Sequence, residues 1–242
     1  MLFRSDGRVH SDSQTGYALA FTMGLVPEEK NELVSQRFGD RVEKVGHITT
    51  GFMGCPHVLQ GLEQAGRHVD AYKLLLHEDF PSWLYMAKHG TTIWEHFGSR
   101  QPDGSPASPF MNSFTHYAHG AVGAFIIGHV GGIRPETPGY KRITIKPVIE
   151  KGLDWATTRY DSIHGPIETS WKVADETITL DVTIPTNTTA TVYLPATEAA
   201  SVLESGQPAT ESKGVRFLCM EDSFAVFEVG SGAYIFEVDT IQ

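Results

Sequence analysis

The sequence predicts an α+β, multidomain chain: a domain of helical hairpins over residues 1–133, then an antiparallel β-sandwich over residues 140–242. Three observations predict this. Apolar residues recur at helical spacing up to about Gly132 and with period two after Pro138. Between them, Arg134-Pro135-Glu136-Thr137-Pro138-Gly139 breaks any regular element. The connections within each half are short, so neighbouring elements run antiparallel.

In the first half, Tyr17, Ala18 and Phe21 share a helical face, and Gly24 ends that helix. Pro27-Glu28-Glu29 opens the next, with proline in the first turn and acids at the positive end of the helix dipole. Val58, Leu59 and Leu62 mark a third helix, and Val69, Tyr72, Leu75 and Leu76 a fourth. A short one follows Pro81 and stops at Gly90. Asn112-Ser113 is expected to cap a long apolar helix from Phe114 to about His129. In the second half, seven or eight short strands punctuated by Gly, Pro, Asp and Asn predict the sandwich. Its aromatics Trp155, Tyr160 and Trp171 are expected in the core rather than on a sugar-stacking platform.

The 242 residues include 40% hydrophobic and 20% charged residues, which is enough apolar material for a sizeable core. A net charge of −10 disfavours nucleic acid and anionic membrane as partners. No run of about 18 apolar residues is present, so no transmembrane helix is expected. The first residues lack the apolar segment of a signal peptide. Cys55 and Cys219 have no metal or redox spacing, and no metal or cofactor site is expected.

The chemistry is expected in Gly90-Thr91-Thr92-Ile93-Trp94-Glu95-His96. A carboxylate beside an aromatic plate is what hydrolysis of a glycosidic bond needs. Glu95 would act as base on water, and the Trp94 ring would give a sugar an apolar face. The competing reading makes Trp94 a core anchor and Glu95 a helix-start residue. Residues 47–54, 90–98 and 111–117 are polar-aromatic loops that would gather at one end of the hairpins around a pocket. His116 and His119 would share a helix face, as pocket or core residues rather than metal ligands. The acids nearest Glu95 in sequence, Glu63, Glu78, Asp79 and Asp103, show no context of a positioned general acid.

Taken together, five stretches resemble the C-terminal part of the glycoside hydrolase family 78 α-L-rhamnosidases. They are Gly46-His47-Ile48-Thr49-Thr50-Gly51-Phe52-Met53-Gly54, His77-Glu78-Asp79-Phe80-Pro81-Ser82-Trp83-Leu84-Tyr85, Gly90 to Glu95, Met111-Asn112-Ser113-Phe114-Thr115-His116-Tyr117-Ala118-His119-Gly120-Ala121-Val122-Gly123, and Pro138-Gly139-Tyr140-Lys141. The resemblance implies part of an (α/α)6 barrel followed by the sandwich, and inverting hydrolysis of terminal α-L-rhamnosyl residues. By it, Glu95 matches the general base, His116 a sugar-subsite histidine and Trp94 a pocket residue, with Thr50 and Phe52 on a rim loop. The family's acid-rich stretch, which carries the general acid, has no counterpart in residues 1–46. The chain is therefore expected to be one piece of the catalytic unit, to need the rest of the barrel as partner, to be inactive alone and to be prone to homo-oligomerise through uncovered helix faces. The ligand implied is a rhamnose-containing oligosaccharide or glycoside. Two alternatives stand beside this: a non-catalytic carbohydrate-binding or assembly fragment, and an (α/α)6 glycosidase of other sugar specificity.

Overall fold

Ser13 opens the first helix, α1 (Gln14–Thr22), by accepting the Gly16 N–H on its hydroxyl. This is seen in a computed structural model that describes residues 3–108, 110 and 113–239. Then come α2 (Asn31–Val45), α3 (Cys55–Gln64), α4 (His68–Leu75) and α5 (Trp83–His89). Gly46 closes α2 in the left-handed region, φ 75°, which a residue without Cβ adopts at no steric cost. Tyr17 and Phe21 of α1 stack on Phe38 of α2, at 5.5 and 6.2 Å. α1 and α3 approach so closely that a Cβ on Gly61 would lie 2.9 Å from the Ala18 Cα. No helix among the described residues is long and apolar enough to cross a membrane.

The expected long helix from Phe114 is not there. Ala118–Ala121 is a 3-10 turn, α6 covers Val122–Phe125, and Ile126–Val130 winds as a π turn. Residues 113–117 form bends rather than a helix, with their backbone engaged elsewhere: the His116 N–H donates to the Ile93 carbonyl, and the Phe114 carbonyl accepts the Thr92 hydroxyl. Of the expected capping pair, Asn112 lies outside the described residues.

The chain divides into two compact units, Met1–Phe125 with Glu150–Gly152, and Ile126–Ile149 with Leu153–Gln242. Residues 133–140, read from sequence as the break, belong to the second unit. They supply β1 (Ile133–Pro135), whose buried Ile133 pairs with Ile145 of β2 (Arg142–Ile145). The further strands are β3 (Trp155–Ser162), β4 (Gly165–Ala174), β5 (Thr177–Ile184), β6 (Thr189–Pro195), β7 (Leu203–Glu204), β8 (Gln207–Pro208), β9 (Val215–Glu221), β10 (Phe224–Val229) and β11 (Gly232–Asp239). They form one sheet in the order β1-β2-β6-β10-β9 and another in the order β3-β4-β5-β11-β7-β8. Phe227 of the first and Phe236 of the second, both buried, stack at 6.4 Å, so the apolar faces meet. Every pairing described is antiparallel except β2 with β6, which run parallel.

Of the three aromatics expected in the sandwich core, Trp171 is there, and its indole N–H donates to the Val130 carbonyl at 2.7 Å. Trp155 is not: it is 64% exposed. It shares a face of β3 with Thr157, Arg159 and Asp161, all exposed, whereas Thr158 between them is buried. Tyr160 is half-buried and packs on Tyr140 at 4.5 Å.

Candidate active site

The three polar-aromatic loops converge within the helical unit. Phe52, from the loop before α3, lies nearly parallel to His116 at 4.6 Å and to His96 at 6.1 Å. Tyr117 extends the stack, 5.4 Å from His116. Phe52 itself is 40% exposed, so part of its surface stays open to a ligand. His116 precedes the helical turns rather than riding on a helix, yet its ring and that of His119 both face Phe52.

Glu95 is fixed beside this stack. Its N–H donates to the Ser113 carbonyl at 2.9 Å, and the Ser113 N–H donates back to Glu95 Oε2 at 2.8 Å. One carboxylate oxygen is therefore held by a charge-assisted bond. The other, Oε1, lies 3.8 Å from His96 Nε2, and the side chain is 15% exposed. A carboxylate anchored on one oxygen and accessible on the other can accept a proton from water. Ser113 escaped sequence reasoning, because the clamp joins residues 18 apart and no local pattern announces it.

Trp94, expected as a pocket residue, packs as a core side chain. It is 2% exposed, meets Tyr85 and Phe114 edge-on at 6.4 and 5.9 Å, and fills the space against Gly90, where a Cβ would lie 2.7 Å from the indole. Thr50 is also buried, 4% exposed, and packs against Gly54, whereas Phe52 and Met53 of the same loop are exposed.

Of the acids nearest in sequence, Glu78 pairs with Lys88 at 3.2 Å, and Asp103 accepts the Ser105 N–H and hydroxyl of its own turn. Among the described residues no group of three or more His, Cys, Asp or Glu side chains is arranged to hold a metal ion. Cys55 is buried, and burial pushes its thiol up to about 12.

These hairpins and sheets define a class, which comparison with known proteins specifies. Residues 1–130 match the six-hairpin glycosidase domain of bacterial alpha-L-rhamnosidases, and residues 132–208 match the C-terminal domain of the same enzymes. The chain belongs to the bacterial α-L-rhamnosidase family. It is 39% identical over 236 residues to an alpha-L-rhamnosidase of Streptomyces avermitilis, covering 97% of this chain and 22% of that protein. An alpha-L-rhamnosidase of Formosa agariphila is 32% identical over 239 residues, covering 97% of this chain and 26% of the relative. The crystal structure of the Streptomyces avermitilis enzyme, complexed with L-rhamnose, superposes with a TM-score of 0.89 at 38% identity, over 98% of this chain and 22% of that one. Native α-L-rhamnosidase from Aspergillus terreus gives 0.85 at 29% identity, over 99% of this chain and 25% of that one. The chain thus spans about a quarter of the length of the relatives it matches.

Proposed function

We propose that this chain is the part of an inverting α-L-rhamnosidase that carries the general base, Glu95, and one wall of the sugar subsite, formed by Phe52 and His116. One observation carries the reading: the Glu95 carboxylate is anchored through Oε2 by the Ser113 N–H, beside an exposed Phe52 ring stacked on His116. An aromatic face suits the C–H face of a sugar, and an imidazole suits its hydroxyls. Water on the Oε1 side of Glu95 loses its proton to the carboxylate as it attacks the anomeric carbon, and the glycosidic bond breaks on the opposite side. The leaving oxygen needs a proton from a second carboxyl group, roughly 6.5–9.5 Å from the first in an inverting site. That acid belongs to another part of the enzyme, so this chain alone does not turn over rhamnosides. The substrate is a terminal α-L-rhamnosyl residue of an oligosaccharide or glycoside, and no metal is needed for the proton transfers.

The test is Glu95→Gln in the complete enzyme, assayed on an aryl α-L-rhamnoside. Loss of a general base is expected to lower kcat by about 10²–10⁴-fold with KM little changed. The first-formed rhamnose, followed by NMR, is expected to have the opposite anomeric configuration to the substrate. Near wild-type turnover by the variant, or a product of retained configuration, overturns the proposal.

A further inference from the structure

The Trp94 carbonyl and the Glu95 N–H are the two ends of one planar peptide group. Both ends are held. The Glu95 N–H donates to the Ser113 carbonyl at 2.9 Å, and the Trp94 carbonyl lies 3.2 Å from His119 Nδ1. Because a carbonyl can only accept, Nδ1 carries the proton and donates it. Rotating that peptide plane would swing the Glu95 Cβ, and with it the carboxylate. His119 is itself immobilised: it is 1% exposed, its ring lies 4.0 Å from Phe97, and its carbonyl accepts the Trp83 indole N–H at 2.9 Å.

We infer that His119 is a positioning residue for Glu95, acting through the Trp94 carbonyl to fix the peptide plane from which the carboxylate projects. The inference rests on the reading of Glu95 as general base. Nε2 of His119 is buried and has no hydrogen-bond partner among the described residues. The neutral ring tolerates this, and burial first, then the His96 and His116 charges, hold its pKa below the usual histidine value against the pull of the Trp94 carbonyl. Protonation would add a second N–H with nowhere to donate. The ring therefore serves as a neutral, single-direction donor.

The experiment uses the complete enzyme with His119→Phe, which keeps the flat ring and removes the donor, and His119→Asn, whose amide nitrogen can replace Nδ1. Each is made alone and together with Glu95→Gln. Misplacing a catalytic group by about 1 Å costs on the order of 10²-fold, so His119→Phe is expected to lower kcat about 10–100-fold with KM within a factor of about two. His119→Asn is expected to keep kcat within about threefold of wild type. In the Glu95→Gln background His119→Phe is expected to cost almost nothing further, because both substitutions disable the same step. If the Phe variant does not fold, His119→Leu takes its place, and the Asn comparison stands by itself. Wild-type kcat in the Phe variant, equal loss in Asn and Phe, or an undiminished Phe effect beside Glu95→Gln each overturns the positioning role. A fully active Glu95→Gln single variant overturns instead the base reading on which it rests.

Discussion

At the scale of single residues, burial sorts the aromatic and titratable side chains of the site into those that present a surface and those that set geometry. Phe52 presents a surface; Trp94 and His119 are buried, the latter in the positioning role proposed above. Phe52→Ala in the complete enzyme is accordingly expected to raise KM for an aryl rhamnoside about three- to thirtyfold. That corresponds to about 0.5–1.5 kcal/mol for a lost aromatic contact plus some of its apolar area. The two thiols divide in the same way. Cys219 is exposed and Cys55 is buried with its pKa pushed up, so Ellman's reagent at pH 8 is expected to titrate one thiol in the folded chain and two after denaturation. His119 makes stability depend on pH with a definite sign. Its folded pKa lies below the ordinary 6.5, so between those two values the unfolded chain binds a proton that the folded chain refuses. Stability is therefore full above about pH 6.5 and declines as pH falls towards the folded pKa. Urea unfolding at a series of pH values should show a shallower decline in His119→Asn than in wild type.

At the scale of elements, close backbone approach is what the helical hairpins depend on. Gly61 lets α3 lie against Ala18 of α1, and a methyl group there meets backbone atoms at 2.9 and 3.0 Å, which cannot rotate away. Gly61→Ala is expected to destabilise the chain by about 1–3 kcal/mol, read as a lower urea midpoint with unchanged slope. In the sheet unit, the buried Trp171 indole satisfies the Val130 carbonyl. Trp171→Phe, which keeps most of the apolar contact and strands that carbonyl, is expected to cost about 1–3 kcal/mol by the same measurement. The sequence showed most of these elements, because they rest on local rules: Gly24 just past α1, Gly90 ending α5, and period-two runs for the longer strands. It failed between Phe114 and His129, where an apolar run rich in small residues reads as helix. Bonds to Thr92 and Ile93, distant in sequence, hold the first part in irregular bends instead. The two-residue strands β7 and β8 were also beyond it, since their pairing with β11 and with each other follows no periodicity.

At the scale of the whole molecule, the family assignment sets how much of its relatives' length this chain spans. It spans about a quarter of its rhamnosidase relatives, and the proposed mechanism needs an acid from elsewhere. The 242-residue chain is expected to show no turnover of an aryl α-L-rhamnoside, while L-rhamnose at a hundred times its dissociation constant would still stabilise it by about 2.7 kcal/mol if the subsite wall is formed. A rise in the thermal midpoint with rhamnose, absent with glucose, is the outcome expected. The net charge of −10 agrees with a neutral ligand.

The sequence by itself determined the class of each half, the family, and the identity of Glu95, His116 and Phe52 as residues of interest. Helical and strand periodicities, caps and linked motifs are written in neighbouring residues. Only the tertiary structure decided which aromatic is exposed and which is core, and that Ser113 and His119 bond the peptide and carboxylate of Glu95. Those relations join residues 18 and 25 positions apart, and burial and hydrogen-bond partnership across such separations depend on how the loops close upon one another.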